Sequence, residues 1–182
     1  ETVLQKVVDG ARTLLHARYG ALSVVADSCR IQSFLTSGID AHTRASIGAP
    51  PQGRGLLGVV LHQGERLRLK DLSQDARSAG FPENHPAMTS LLAVPIPGPG
   101  RFRGNLYLAD KRDGSEFTRS DEEALLRFAT QAAIAIDTAH LHQQLRGLAV
   151  AEERLRIAHE MHDGLAQVLA YVGTKAQAVR EY

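Results

Sequence analysis

The sequence predicts an α+β fold: an antiparallel sheet of five to six short strands with flanking helices, and a long helix trailing from it. Three observations predict it. Ser90–Ile96 and Asn105–Asp110 are apolar, strand-like runs separated by the turn Pro97-Gly98-Pro99-Gly100. Glu1–His16 sets Val3, Leu4, Val7, Val8, Ala11, Leu14 and Leu15 at helical spacing. From Ser120 the chain meets few helix stops as it passes Leu125, Phe128, Ala132 and Ile136, then Leu141, Leu145 and Leu148, towards His162.

The other elements follow in order. Tyr19–Ala26 and Ile31–Ser37 are β-rich runs joined by the hairpin-like break Asp27-Ser28-Cys29-Arg30. Asp40–Ile47 reads as a short helix, and Gly48–Gly53, with Pro50-Pro51, as a loop. Gly55–His62 reads as a helix, Arg66–Leu69 as a strand, Asp71–Ala87 as a long polar loop and Lys111–Glu116 as a turn. Thr118 or Ser120 caps the last helix, with acids in its first turn. The expected division is a sensor domain over 1–138, a linker helix over 139–151, and a truncated further module over 152–182.

Composition narrows the class. The 182 residues are 43% hydrophobic and 23% charged, which suits a globular domain with an appendage. A net charge of +1 gives no electrostatic case for nucleic acid or an anionic membrane. The one cysteine, Cys29, excludes an internal disulfide and fits a cytoplasmic protein. No apolar run reaches the roughly 20 residues of a membrane span. The chain opens on Glu1, within a helical pattern and without a Met, as expected of a piece of a longer protein.

The richest chemistry lies in Glu152–Val172, which has no proline and one glycine. Ile157, Met161, Leu165, Val168 and Val172 draw one apolar stripe along a helix. His162 falls about 100° round from that stripe, on the flank. Asp163 and Gln167, one turn apart, share that flank. A neutral imidazole is a nucleophile, an adjacent carboxylate can orient it and take a proton, and a carboxamide can hold a water. Those are parts for phosphoryl transfer, which otherwise needs positioning and charge neutralisation. Upstream, Leu141, Leu145, Leu148 and Leu155 fit a heptad seam, with Glu152 as its odd member. The apolar phase then moves to Ile157 and Met161, like a coiled-coil stutter. Two readings stand side by side: competing phases that sensing shifts, and a plain continuous linker helix.

Glu153-Arg154-Leu155-Arg156-Ile157-Ala158, Glu160-Met161-His162-Asp163-Gly164 and Gln167 closely resemble the phosphoacceptor helix of histidine kinases whose partners are NarL/LuxR-type response regulators. Met161 replaces the usual leucine. The resemblance implies that His162 is phosphorylated, Asp163 is its acid/base partner and Gln167 serves the phosphatase reaction. It also implies a homodimer built on this helix, a response-regulator partner, and ATP and Mg supplied by a domain outside this chain. The chain alone is therefore expected not to autophosphorylate.

The preceding region resembles a GAF domain. Ala17-Arg18-Tyr19-Gly20-Ala21-Leu22, Arg66–Leu72, Gly80-Phe81-Pro82-Glu83-Asn84-His85-Pro86-Ala87-Met88 and Gly104-Asn105-Leu106-Tyr107-Leu108-Ala109-Asp110-Lys111 are similar to the first GAF domain of DevS/DosT-type oxygen and redox sensor kinases. That resemblance implies a b-type haem, with His85 as proximal iron ligand, Tyr107 facing the distal side, and a diatomic gas or redox signal as input. The residues alone offer some of the chemistry. Prolines restrict the His85 backbone, the loop precedes a buried strand, and a phenol can donate to a bound molecule. No Cys-x-x-Cys-His occurs, so covalent haem is not expected. Here the loop is less proline-rich than in that family, and no second GAF domain intervenes before the kinase helix. Two alternatives stay open: a non-haem small molecule with the same output, and a GAF domain serving only to dimerise.

The remaining histidines carry less. His16, His42 and His62 are isolated, and His140 and His142 are two apart, a poor metal pair on a helix. His159 lies one turn before His162 and reads as solvated. The glycines over 53–58 lack the Gly-Lys-Ser/Thr of a phosphate-binding loop.

Overall fold

A computed structural model describes residues 2–25, 31–49, 51, 55–98 and 103–180, the backbone alone at 149, 158–160 and 163–180. Helix α1 (Thr2–Leu14) leads into a hairpin of β1 (Ala17–Val25) and β2 (Ile31–Ser37). Helix α2 (Ala41–Ile47) and helix α3 (Gly55–Gly58) follow, then β3 (Leu67–Leu69), β4 (Leu91–Ile96), β5 (Gly104–Lys111) and the long helix α4 (Arg119–Arg180). The chain forms two compact units, Glu1–Asp137 and Thr138–Tyr182.

The sheet is antiparallel and has five strands among the described residues, in the order β2-β1-β5-β4-β3. A central row aligns Ala21, Tyr107 and Ala93, and the next aligns Leu22, Leu106 and Val94. Because side chains alternate across a sheet, these rows face opposite ways. The Leu22 row packs with Leu92, Ile96 and Leu108 against Val8 and Ala11 of α1 and Leu125, Ala129 and Ala132 of α4. The Ala93 row packs with Leu91 against Leu56, Val60 and Leu72. Helices α1 and α4 thus cover one face with the main core, and the other face receives α3, the turn after it and loops.

Local chemistry explains several boundaries. Strand β1 begins at Ala17, two residues before the expected start, because α1 stops at Leu14 and His16 turns the chain with φ 51°. The helix expected over Gly55–His62 is a single α turn followed by a π turn, Val59–Gln63, ended by Gly64 in the left-handed region. The expected loop after β3 contains a short 3₁₀ turn, Leu72–Gln74, whose cap Asp71 accepts from Ser73 N at 2.9 Å. Thr118 is the cap of α4: its Oγ1 accepts from Asp121 N at 3.2 Å, and Asp121 Oδ2 accepts from Thr118 N at 2.7 Å. Gly104 opens β5 with φ 157°, and a Cβ there would lie 1.8 Å from Ser23 O. Only glycine lets β1 and β5 meet at that point.

Helix α4 is unbroken across the predicted phase change near Leu155. Leu141, Leu145, Leu148 and Leu155 are all about 60% exposed within the single chain. The Asp27–Arg30 turn with Cys29 lies outside the described residues.

Candidate functional site

The sheet face opposite the helices floors a cavity of about 520 Å³ in the first unit. This is the size range of small-molecule and cofactor sites. Tyr19 and Ala21 of β1, Phe34 and Thr36 of β2, and Tyr107 and Ala109 of β5 line it from the sheet. The alanines at 21 and 109 leave room above the strands. Phe81, His85 and Met88 line it from the loop before β4, and Arg44 from α2. The structure therefore brings His85 and Tyr107, taken from separate parts of the sequence, to one cavity.

The His85 loop is held at both ends. His85 N donates to Pro82 O at 3.2 Å, and Asn84 takes φ 61° to close that turn. Asn84 Nδ2 reaches Ser46 O of α2 at 3.4 Å. At the far end Asp110 Oδ1 accepts from Thr89 N at 2.9 Å and Ser90 N at 2.8 Å. Asp110, itself at φ 51°, clamps the loop onto the end of β5. Its place in the motif was visible in sequence, but no pattern announced this role.

The His85 ring is half-buried and stacked on Phe81. Its Nδ1 lies 2.8 Å from Pro86 O. A carbonyl only accepts, so Nδ1 carries a proton, and in the neutral ring the lone pair is on Nε2. A backbone acceptor behind a histidine is how proteins fix the ring and tautomer of a metal ligand. Among the described residues no group of three or more histidine, cysteine or carboxylate side chains could hold a metal ion. His85 can supply one ligand to a metal.

Tyr107 presents the complementary feature. Its Oη is buried and has no hydrogen-bond partner among the described residues. Burial raises the phenol's pKa well above its usual value, and the nearby Arg44 cation pulls weakly the other way. The group is thus a neutral donor with no acceptor among the described residues. Its ring stands 6.2 Å from that of Phe34, at 38°. One strand step away, Asn105 and Ser23 are buried and bonded to each other, and Asn105 Nδ2 donates to Leu57 O at 3.1 Å. That pair ties α3 to the sheet beside the cavity.

His162 lies in the second unit, on α4, and is exposed, as is Met161. The side chains of Asp163, Gln167 and His159 lie outside the described residues. His16, His42, His62, His140 and His142 are all exposed. No helix among the described residues is long and apolar enough to cross a membrane.

The GAF domain family model matches residues 1–137, and the histidine kinase family model matches residues 153–182. A probable 3',5'-cyclic phosphodiesterase, pde-5 of Caenorhabditis elegans, is 27% identical over 173 residues, 88% of this chain. The chain spans 23% of that relative's length. The second GAF domain of DevS from Mycobacterium smegmatis superposes with a TM-score of 0.58 at 23% identity, covering 79% of this chain and 97% of that one. A GAF domain/HD domain protein from Geobacter sulfurreducens superposes with a TM-score of 0.63 at 18% identity, covering 76% and 93%. At these identities the superpositions establish the fold. The DevS domain superposed is the second GAF domain of that protein, whereas the loop motifs resemble those of the first. The chain belongs to the GAF domain family, and it joins that domain to a histidine-kinase segment.

Proposed function

We propose that this chain is the sensory and phosphoacceptor part of a sensor histidine kinase whose GAF cavity holds a b-type haem. The supporting observation is the pairing in one apolar cavity of His85, its Nδ1 held by the Pro86 carbonyl, with Tyr107, its buried hydroxyl without a partner among the described residues. These residues fit the group. His85 would bind the iron, the Pro86 carbonyl would hold the imidazole in the binding tautomer, and the alanine floor would take the flat macrocycle. Haem would supply an iron that binds a diatomic gas or changes oxidation state. Tyr107 would donate its hydroxyl to a molecule bound in the cavity, and the apolar walls would keep water out.

In the same reading His162 accepts a phosphoryl group from ATP bound to a domain outside this chain. The neutral imidazole attacks the γ-phosphorus of ATP, the bond to the β-phosphate oxygen breaks and ADP leaves, and Asp163 takes the proton the ring releases. Gln167 orients water for the reverse hydrolysis. The phosphoryl passes on to a NarL/LuxR-type response regulator. Exposed Leu141, Leu145, Leu148 and Leu155 would be covered by a second copy of the chain, giving a homodimer. Ligand state at the cavity would bias how the helices present His162.

An absorption spectrum tests the cofactor. The chain purified from haem-supplied cells is expected to show a Soret band that shifts with dithionite and carbon monoxide and is lost in His85→Ala. A flat visible spectrum from well-folded, haem-exposed protein overturns the haem reading and points to a non-haem ligand for the same kinase.

A further inference from the structure

Arg44 is the cation of the cavity, and the iron chemistry above does not use it. It lines the cavity from α2 and is half-buried. Its guanidinium lies over the Phe34 ring, 5.6 Å from the centroid. Its one hydrogen-bond partner among the described residues is Gly48 O, reached by Nη1 at 2.9 Å. A guanidinium carries five N–H donors in a planar fork. Among the described residues no carboxylate meets this one, whereas Arg68, Arg77, Arg103 and Lys111 each meet an acid.

Most of the remaining lining is apolar, so the unneutralised charge is not diluted by other ionic groups. A half-buried cation beside apolar walls gains most from an anion that enters with an apolar body. A second observation points to a ligand at the same wall. Phe34 contacts both Arg44 and Tyr107, and Tyr107 Oη is buried without an acceptor among the described residues. A planar ligand lying on the sheet would meet a charged fork at one edge and a lone hydroxyl donor within. The Phe34 stack holds the fork in place before the ligand arrives, which lowers the ordering cost of the pair.

We propose that the cavity selects a flat, largely apolar ligand that bears a carboxylate, and that Arg44 binds the carboxylate. It rests on the haem reading only for the ligand's identity, since the carboxylate would then be a haem propionate. The bland role of Arg44, closing α2 on Gly48 O, predicts no dependence on ligand charge.

The test titrates the chain with haem, protoporphyrin IX and the dimethyl ester of each. The wild type is expected to bind both acids about tenfold or more tightly than their esters. Arg44→Ala is expected to lose that preference, and Arg44→Lys to keep part of it, with melting points recorded so that folding is known. Equal binding of acid and ester by the wild type, or a preference that survives in Arg44→Ala, overturns the proposal. So does failure of folded wild type to bind any porphyrin. An Arg44-dependent preference with haem affinity unchanged in His85→Ala supports the anion site and overturns iron ligation by His85. Haem ligated by His85 without any acid preference does the reverse.

Discussion

The His85 imidazole lies flat against the Phe81 ring, with centroids 4.6 Å apart and planes at 14°. With the Nδ1 contact to Pro86 O, this stack leaves the imidazole little freedom to rotate. Phe81 itself is 47% exposed, so it adds little to the core. Phe81→Ala is expected to cost less than about 1 kcal/mol of stability. It is expected to weaken haem retention several-fold, the range of an aromatic pair worth about 0.5–1.5 kcal/mol. Haem transfer to apomyoglobin beside urea unfolding separates the two effects. A large stability loss with unchanged haem retention would contradict this account of Phe81.

Tyr107 makes a prediction of opposite sign. A buried hydroxyl without a partner costs roughly 1–3 kcal/mol of desolvation. Tyr107→Phe removes that cost while keeping the ring packed near Phe34. The ligand-free variant is expected to be more stable than wild type by about 1 kcal/mol, a rise of a few degrees in Tm. Ligand-loaded protein is expected to lose part of its ligand-induced stabilisation. Calorimetry with and without haem reads both, and a clearly destabilised ligand-free variant would show that the hydroxyl is already satisfied.

Gly104 tests the fold rather than the site. Its added Cβ would fall on Ser23 O, a backbone atom that cannot swing aside. Gly104→Ala is expected to destabilise by about 3 kcal/mol or more in urea unfolding, because β5 is the central strand of the sheet and β1 its neighbour. A loss under about 1 kcal/mol would mean that the strands part there without cost.

Asp121 supplies the pH dependence. Burial, the largest single influence, raises its pKa, but the Lys111 ammonium at 2.8 Å and the Thr118 N and Oγ1 donors together outweigh it. The carboxyl therefore titrates below its ordinary value. A depressed acid stabilises the fold above its unfolded pKa of about 3.9, and that contribution disappears as pH falls through the lower folded value. Asp121→Asn is expected to cost about 1–2 kcal/mol at pH 7, the scale of a lost cap. The gap between variant and wild type should narrow below about pH 4. Urea titrations at pH 7, 4 and 2.5 check it, and a gap that stays constant would contradict it.

The parts of the fold that repeat were legible in the sequence. Apolar, strand-like runs marked β4 and β5, and helical spacing marked α1 and the run towards His162. What hid from pattern were single side chains acting across sequence. Asp110 clamps Thr89 and Ser90 through its carboxylate, twenty or so residues back along the chain. Arg44 sits in a short surface helix whose sequence says nothing of the cavity it borders. The π turn after α3 interrupts the expected helix, and Gly64 ends it in a left-handed conformation, a local choice that periodicity does not register. His85 and Tyr107 were legible through motif resemblance, but their shared cavity needed the sheet register.

The central claim is that the GAF cavity controls phosphorylation of His162. The most direct measurement is the rate of phosphate incorporation at His162 in the full-length kinase, with the haem iron oxidised, reduced, and reduced with carbon monoxide. The rate is expected to differ at least about threefold between states, to become indifferent to them in His85→Ala, and to vanish in His162→Gln. Equal rates in all three states, from protein shown to carry haem on His85, would contradict the account.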